Sequence, residues 1–521
     1  MSQEVIKYLG VAHSEVQKQA LIRLAQSEVR TATALPMLPS KNNDYPEALL
    51  GNMVEIARSV DGMHDIFGAM LDKIHLRDLF KPYEYERLKD IIICRIAEPS
   101  SKRHTAELLT KDYLKPLSVD QIYRLMDVLS AKQMEIKQRV FETSKYFIKN
   151  EKVEILFFDV TTLHFESQIA DELRNLGMSK AHKIGEVQVV LALATTSEGL
   201  PIGYNLFPGN TAEVSTLLIS LNEWIRHLNI QDVTVVADRA MMSEANLSAM
   251  EQANFKYTVA AKLRSLSKVM KENILARRAE VQATVCRQGM KIQEYDYNGR
   301  RLVVSYSESR AKKDRNDREK LLARIQKKLG HKVKEKELIT HKGYLKYFEE
   351  VSKGEMVLNQ EKIIEDARWD GLHGIITNDK NTSAVQLLER YRGLWVIEES
   401  FRINKHTLAM RPIYHFKPKR IESHILICYL AYAVSRYTQK QVSEFHKPMS
   451  IAKIRGELGR VESGLLEDDI TGERYKLPSS TSADAIAIYR AFGMRRLQRA
   501  NKVIQAKKRS GKQKIYAIDS K

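Results

Sequence analysis

The chain has 521 residues, enough for about three domains, with 43% apolar and 29% charged residues, so a wholly disordered chain is excluded. Lys plus Arg is 84 and Asp plus Glu is 65, a formal charge of 84 − 65 = +19 that points to a polyanion, most often nucleic acid. Three scattered cysteines (Cys94, Cys286 and Cys428) exclude a disulfide scaffold and a cysteine zinc site and suit a reducing cytosol. The start, MSQEVIKYLG, lacks the basic-then-apolar pattern of a secretory leader. The longest apolar run, Ile425 to Val434, spans ten residues, whereas a membrane helix needs about 20. The expected setting is therefore cytoplasmic, with no membrane partner.

Residues 1–150 read as mostly helical. Glu84–Ala97 carries Leu88, Ile91, Ile92 and Ile96 at helical spacing and stops at Pro99. Thr105–Leu114 and Val119–Leu129 follow, the latter capped by Ser118, and such short helices suit either a DNA-contacting helix-turn-helix or a plain bundle. From Val153 the pattern changes. Val153–Phe158, Glu186–Ala194, Pro201–Phe207, Val233–Ala237 and Tyr257–Ala261 read as strands, with helices over Thr216–Leu228 and Ser243–Ala253, a mixed α/β domain.

Residues 264–370 break this rhythm. Val281–Tyr297 and Arg301–Tyr306 resemble a β-ribbon, and Ala311–Leu329 a charged helix. Between 311 and 340 there are 11 Lys/Arg against 5 Asp/Glu, so Lys312, Lys313, Arg324, Lys327 and Lys328 are candidates for gripping DNA phosphates. The α/β pattern resumes at Gly374–Thr377, followed by a long helix from Ala384 to about Lys405 and an apolar one over Ile421–Tyr437. The tail from Arg495 to Lys514 has nine Lys/Arg and no acid. The expected divisions are 1–150, 151–263, 264–370, 371–440 and 441–521.

Three carboxylates stand where burial makes them costly. Asp159 shares a strand face with Ile155 and Phe157, and a carboxylate next in that row needs a metal or a turn to satisfy it. Asp238 ends Val233–Ala237, at the carboxyl end of a central strand where α/β sheets place ligand chemistry. Glu398 lies between Tyr391 and Lys405, seven residues from each, which on a helix gives one face a tyrosine, a carboxylate and an ammonium, with Trp395 and Phe401 in the core. Two Asp at strand ends and one Glu on a helix can hold two divalent cations through oxygen alone, the arrangement used for phosphodiester chemistry.

Phe157-Phe158-Asp159-Val160-Thr161-Thr162, Gly203–Thr211 and Val236-Ala237-Asp238-Arg239 resemble the DDE transposases of bacterial insertion sequences. Tyr391, Glu398 and Lys405 fit the Tyr-x2-Arg-x3-Glu-x6-Lys signature of one branch; Leu394 stands at its Arg position, with Arg392 and Arg402 as substitutes. The resemblance spans roughly 90–440. It implies an RNase H-like core with Asp159, Asp238 and Glu398 as catalytic metal ligands. The core is interrupted by an insertion in the 398 − 238 = 160-residue gap. It implies Mg²⁺ (with Mn²⁺ as a substitute), hydrolytic nicking of double-stranded DNA at element ends, and attack of the freed 3′-OH on target DNA by a homodimer or larger assembly near the bacterial nucleoid. Tyr391, Arg392, Arg402 and Lys405 would contact DNA. The alternatives are a non-catalytic DNA-binding relative and a nuclease of this fold that does not join strands.

Overall fold

The computed structural model describes residues 52–503 except 149–150, 166–168, 178–185, 229, 231, 242, 278–290, 330–331, 335–346, 353–354 and 497–499, together with Gln17, Lys18, Leu21, Ile22 and Ala25. Most of the basic tail over Arg495–Lys514 lies outside the described residues.

The first described element is a strand, β1 (Met53–Val60), where mostly helix was expected. Five helices follow: α1 (Gly62–Asp72), α2 (Pro82–Ala97), α3 (Lys102–Lys111), α4 (Val119–Ala131) and α5 (Gln133–Tyr146). Their ends follow local chemistry. Pro82 opens α2, where a missing N–H costs nothing. Ser101 caps α3, and Ser118 with Gln121 forms a capping box on α4.

The central sheet begins with β2 (Ile155–His164), β3 (Gln188–Thr195) and β4 (Pro201–Pro208). Then come α6 (Glu213–Leu228), β5 (Thr234–Ala237), α7 (Glu244–Gln252), β6 (Lys256–Ala260) and α8 (Lys268–Ala276). The hairpin β7 (Lys291–Tyr297) and β8 (Arg300–Tyr306) leads into the long helix α9 (Glu308–Leu329). A small sheet of β9 (Lys332–Lys334), β10 (Phe348–Ser352) and β11 (Glu355–Leu358) and the helix α10 (Gln360–Ala367) precede β12 (Leu372–Thr377). The eight-stranded sheet has the order β4-β3-β2-β5-β6-β12-β8-β7. β2, β3 and β4 are mutually antiparallel, β5 and β6 run parallel to β2, and β12 is antiparallel to both β6 and β8. The ribbon that sequence grouped with the inserted segment therefore forms the far edge of the main sheet; its pairing with β12 joins residues about seventy apart in sequence, beyond the reach of local periodicity.

After β12 the long helix expected over 384–405 is broken. α11 (Ala384–Arg392) stops at Gly393, α12 (Trp395–Arg402) restarts, and a π turn closes the segment at Ile403–Thr407. A Cβ on Gly393 would lie 2.7 Å from Phe157 Cζ, so the break occurs where the backbone crowds a β2 side chain and a larger residue would force Phe157 to shift. α13 (Pro418–Phe445) is buried along most of its length, followed by α14 (Ile451–Gly459), β13 (Glu462–Asp468), β14 (Arg474–Pro478), α15 (Ala483–Ala491) and β15 (Asn501–Lys502). β1 pairs antiparallel with β13, and α1, α2, α4 and α15 pack on α13, so residues from both ends of the chain build one helical body. That long-range pairing is why β1 is a strand.

Strand alternation divides the core. Leu156, Phe158 and Val160 face α6, packing with Leu217, Leu221 and Trp224. Phe157 and Leu163 face the other way, into the core that holds Ile397, Phe401 and the buried length of α13. Asp159 and Thr161 belong to this second row.

Candidate active site

The pairing of β2 with β5 is parallel, with Phe157 beside Val236 and Phe158 beside Ala237. The next step of that register sets Asp159 beside Asp238, on strands about 4.8 Å apart. Both are half-buried. Residues two apart on a strand share a face, so Val236 and Asp238 follow Phe157 and Asp159 toward the layer of α12 and α13. Each aspartate is oriented by the following peptide: Asp159 Oδ1 accepts the Val160 N–H and Asp238 Oδ1 the Arg239 N–H, both at 2.7 Å.

The segment from Tyr391 to Lys405 crosses this face. Tyr391 donates its hydroxyl to Asp238 Oδ1 at 3.3 Å. Burial and the Asp238 carboxylate push the phenol well above its ordinary range, so it stays a donor at any working pH. At the other end Lys405 donates its ammonium to Thr161 Oγ1, two residues along from Asp159, while lying 5.4 Å from the Phe401 ring centroid. Glu398 lies between these anchors on α12, which packs against β2, and its side chain is exposed. Sequence set Tyr391 on the Glu398 face as a DNA contact; in the fold its hydroxyl meets the Asp238 carboxylate.

The donor set is all oxygen, which suits a hard divalent cation. Among the described residues, no group of three or more His, Cys, Asp or Glu side chains is close enough to hold a metal ion, so Glu398 does not close a finished cluster with the two aspartates. The residues fit a divalent ion in kind and in the pairing of Asp159 with Asp238.

The basic candidates divide. Leu394, at the signature's Arg position, is buried in the core, which explains why an uncharged side chain stands there. Arg392 and Arg402 are exposed, and Arg402 lies 3.6 Å from Glu399. Lys312, Lys313 and Arg324 are exposed on α9. The side chains of Lys327 and Lys328 lie outside the described residues.

Three features escaped the sequence. Trp395 is 60% exposed, whereas its partner in expectation, Phe401, is buried as foreseen. It stands one turn before Glu398, a spacing that could have flagged it. His373 on β12 packs against Tyr391 with ring centroids 4.9 Å apart, and burial, aided by Arg310, holds it down to about 4, a neutral imidazole at physiological pH. No pattern in sequence marks that histidine. Finally, a cleft of about 810 Å³ opens beside Asp238, Tyr391 and His373, and its opposite wall is α9.

The sequence profile of the transposase DDE domain family matches residues 151–434, more than half of the chain and the whole span from Asp159 to Glu398. The chain matches no curated protein sequence. Among solved structures, a piggyBac transposase synaptic complex with hairpin DNA covers 77% of this chain and 77% of its own at 10% identity, with a TM-score of 0.41. A Mos1 transposase paired-end complex with the left transposon end covers 34% of this chain and 59% of its own at 16% identity, with a TM-score of 0.16. The profile match, running through both aspartates and the Glu398 helix, shows that the chain belongs to the transposase DDE domain family.

Proposed function

We propose that the protein cuts DNA at the ends of a bacterial insertion sequence by Mg²⁺-dependent hydrolysis, Mn²⁺ substituting, and joins the freed 3′-OH to target DNA. The observation that carries this is the parallel register that ends at Phe158 beside Ala237, with Asp159 and Asp238 the next residue on each chain, and with Tyr391 bonded to Asp238 and Lys405 to Thr161. The strand order of β4-β3-β2-β5-β6, three antiparallel and two parallel, supports an RNase H-like core. The segment from α9 to α10 then stands as its insertion.

In this proposal Asp159, Asp238 and Glu398 supply the oxygen ligands. Bound divalent cations lower the pKa of the attacking water or 3′-OH and offset charge on the scissile phosphate. Tyr391 fixes one oxygen of Asp238, which leaves the other free to face the reacting centre. Lys405, held at Thr161 on the Asp159 row, presents a positive charge for a phosphate next to the cut. Arg392, Arg402 and the exposed lysines of α9 grip the backbone further out, and the helices within 1–150 add contacts of their own. Pairing of two ends calls for a dimer or larger assembly, and DNA as substrate places the protein at the nucleoid.

The test is incubation with duplex DNA from the borders of its own gene and Mg²⁺, reading nicked and joined products on one gel. A second lane with pre-cut 3′-OH ends separates cutting from joining. Joined product in both lanes is expected. Product in neither lane, from folded protein that binds the DNA, would reject the catalytic assignment. Cutting without joining would make the protein a nuclease of this fold.

A further inference from the structure

The cleft beside Asp238 has two walls of different origin. One carries Asp238, Tyr391 and His373; the other is the start of α9, including Arg310, Arg318 and, across from them, Arg264. α9 is not a loose basic arm at this end. Ala311 is 5% exposed, and Asp314 Oδ2 accepts the Gly371 N–H at 3.0 Å. Arg318, 9% exposed, makes a two-pronged pair with Asp370 at 2.6 Å on each prong. Gly371 sits at φ +81°, and a Cβ there would lie 2.8 Å from Ala311 Cβ, so the helix is seated against the strand β12 backbone as closely as glycine permits.

This seating sorts three of the cleft's four arginines, the fourth being the exposed Arg239 next to Asp238. Arg318 is committed to Asp370, and Arg264 to Asp366. Arg310 differs. Its side chain is 50% exposed, and its ion pair with Asp314 is 3.9 Å long, with the Asp314 oxygen also engaged by Gly371. A pair at that distance and exposure contributes little to stability. It lines the same cleft as Asp238, Tyr391 and His373, and its charge acts on both Tyr391 and His373.

We propose that Arg310 is a positioning residue: it grips a phosphate of the DNA strand lying in the cleft next to Asp238, and α9 carries it there as a rigid part of the catalytic wall. This rests on the DNA-cutting function proposed above and adds a contact from outside the Tyr391–Lys405 segment. A guanidinium suits the task because two parallel N–H groups of its rigid fork match two phosphate oxygens, a geometry the rotating ammonium does not fix.

The experiment compares Arg310→Ala, Arg310→Lys and Asp238→Asn in full-length protein. Binding of a fluorescein-labelled duplex from the border of its gene is measured against salt concentration, and cleavage in Mg²⁺ is measured against DNA concentration. Arg310→Ala is expected to reduce the salt slope of binding by about 0.9, the value for one lost phosphate contact. Cleavage efficiency should fall by about 10- to 100-fold, with thermal unfolding unchanged because the side chain is half in solvent. Arg310→Lys should restore the salt slope and only part of the cleavage. An unchanged salt slope and wild-type cleavage in Arg310→Ala would overturn the proposal; so would a fall in melting temperature that accounts for the lost activity. The binding arm needs no catalysis, so the two levels separate. If Asp238→Asn still cleaves, the catalytic assignment fails, while a reduced slope in Arg310→Ala would still uphold the phosphate contact.

Discussion

The carboxyl edge of the sheet and the helical body around α13 both set charged groups against apolar layers, and they treat them in opposite ways. In the body, Lys102 is 5% exposed, within 3.3 Å of His424 Nδ1 and near Arg95, and burial lowers its pKa to about 7. His424 is pushed well below its ordinary value by the same burial. There the protein resolves the cost of burial by giving up protons. At the sheet edge, Asp159 and Asp238 are only half-buried, oriented by backbone N–H groups and a phenol, and set side by side. In the body, burial drives protons off Lys102 and His424; at the edge two carboxylates stand near one another, which suits the cationic ligand proposed above. The contrast supports the site proposed at the edge and can be broken by experiment.

The largest expected effect is at the edge. Asp159→Asn, Asp238→Asn and Glu398→Gln should each lower cleavage about 10³-fold or more, with melting temperature held or raised because clustered like charges are removed. DNA binding should persist. A loss of cleavage that tracks unfolding would erase the contrast with the body.

In the body the loss should be of stability alone. Leu426, 0% exposed in the middle of α13, contributes to a core in which truncation leaves a cavity. Leu426→Ala should cost about 2–5 kcal/mol in denaturant unfolding, while the folded fraction cleaves normally. Changed catalysis per folded molecule would mean that the body is coupled to the site.

Lys405→Ala should lower cleavage about tenfold or more and weaken end binding with it. Raising Mg²⁺ should not rescue it if Lys405, which donates to Thr161 on the Asp159 row, acts on the DNA end rather than on the metal. Tyr391→Phe deletes the hydroxyl on Asp238, and about 1 kcal/mol, or roughly fivefold in cleavage rate, is the expected loss.

The Lys102 site gives a pH signature. Its folded value near 7 lies below the unfolded value of 10.5, so between those values the unfolded chain binds the extra proton. Stability should therefore rise as pH goes from about 7 toward 10.5, and the burial penalty is fully present below that window. Lys102→Met should flatten this rise in thermal unfolding, with cleavage at pH 7 unaffected. The smallest effect belongs to the outer face of α9. Reversing Lys312, Lys313 and Arg324 together should weaken binding to all duplexes alike and reduce the salt slope.

Much of the edge was legible in sequence because it depends on short-range rules. Alternation along Val153–Asp159 set Asp159 on the same face as Phe157, and the apolar run before Asp238 marked a central strand end. What stayed hidden depends on contacts between distant segments. β1 is a strand because β13 pairs with it, and β7 and β8 join the main sheet through β12. Gly393 breaks the predicted helix because the chain there presses on Phe157, a contact that helical periodicity cannot express. Arg310 and His373 carry no sequence mark at all, since what unites them is that α9 and β12 line one cleft. Trp395 looked like core from its apolar neighbours, yet the restart of α12 turns it outward.

The central claim is that Asp159, Asp238 and Glu398 jointly hold divalent metal at a bound DNA end. Anomalous diffraction from Mn²⁺ in crystals of the protein with a DNA end tests it directly. The account predicts Mn²⁺ within about 2.5 Å of carboxyl oxygens of Asp159 and Asp238, with Glu398 drawn in to complete the shell. Mn²⁺ bound elsewhere, with these three side chains pointing to separate surfaces around a properly seated DNA end, would contradict it.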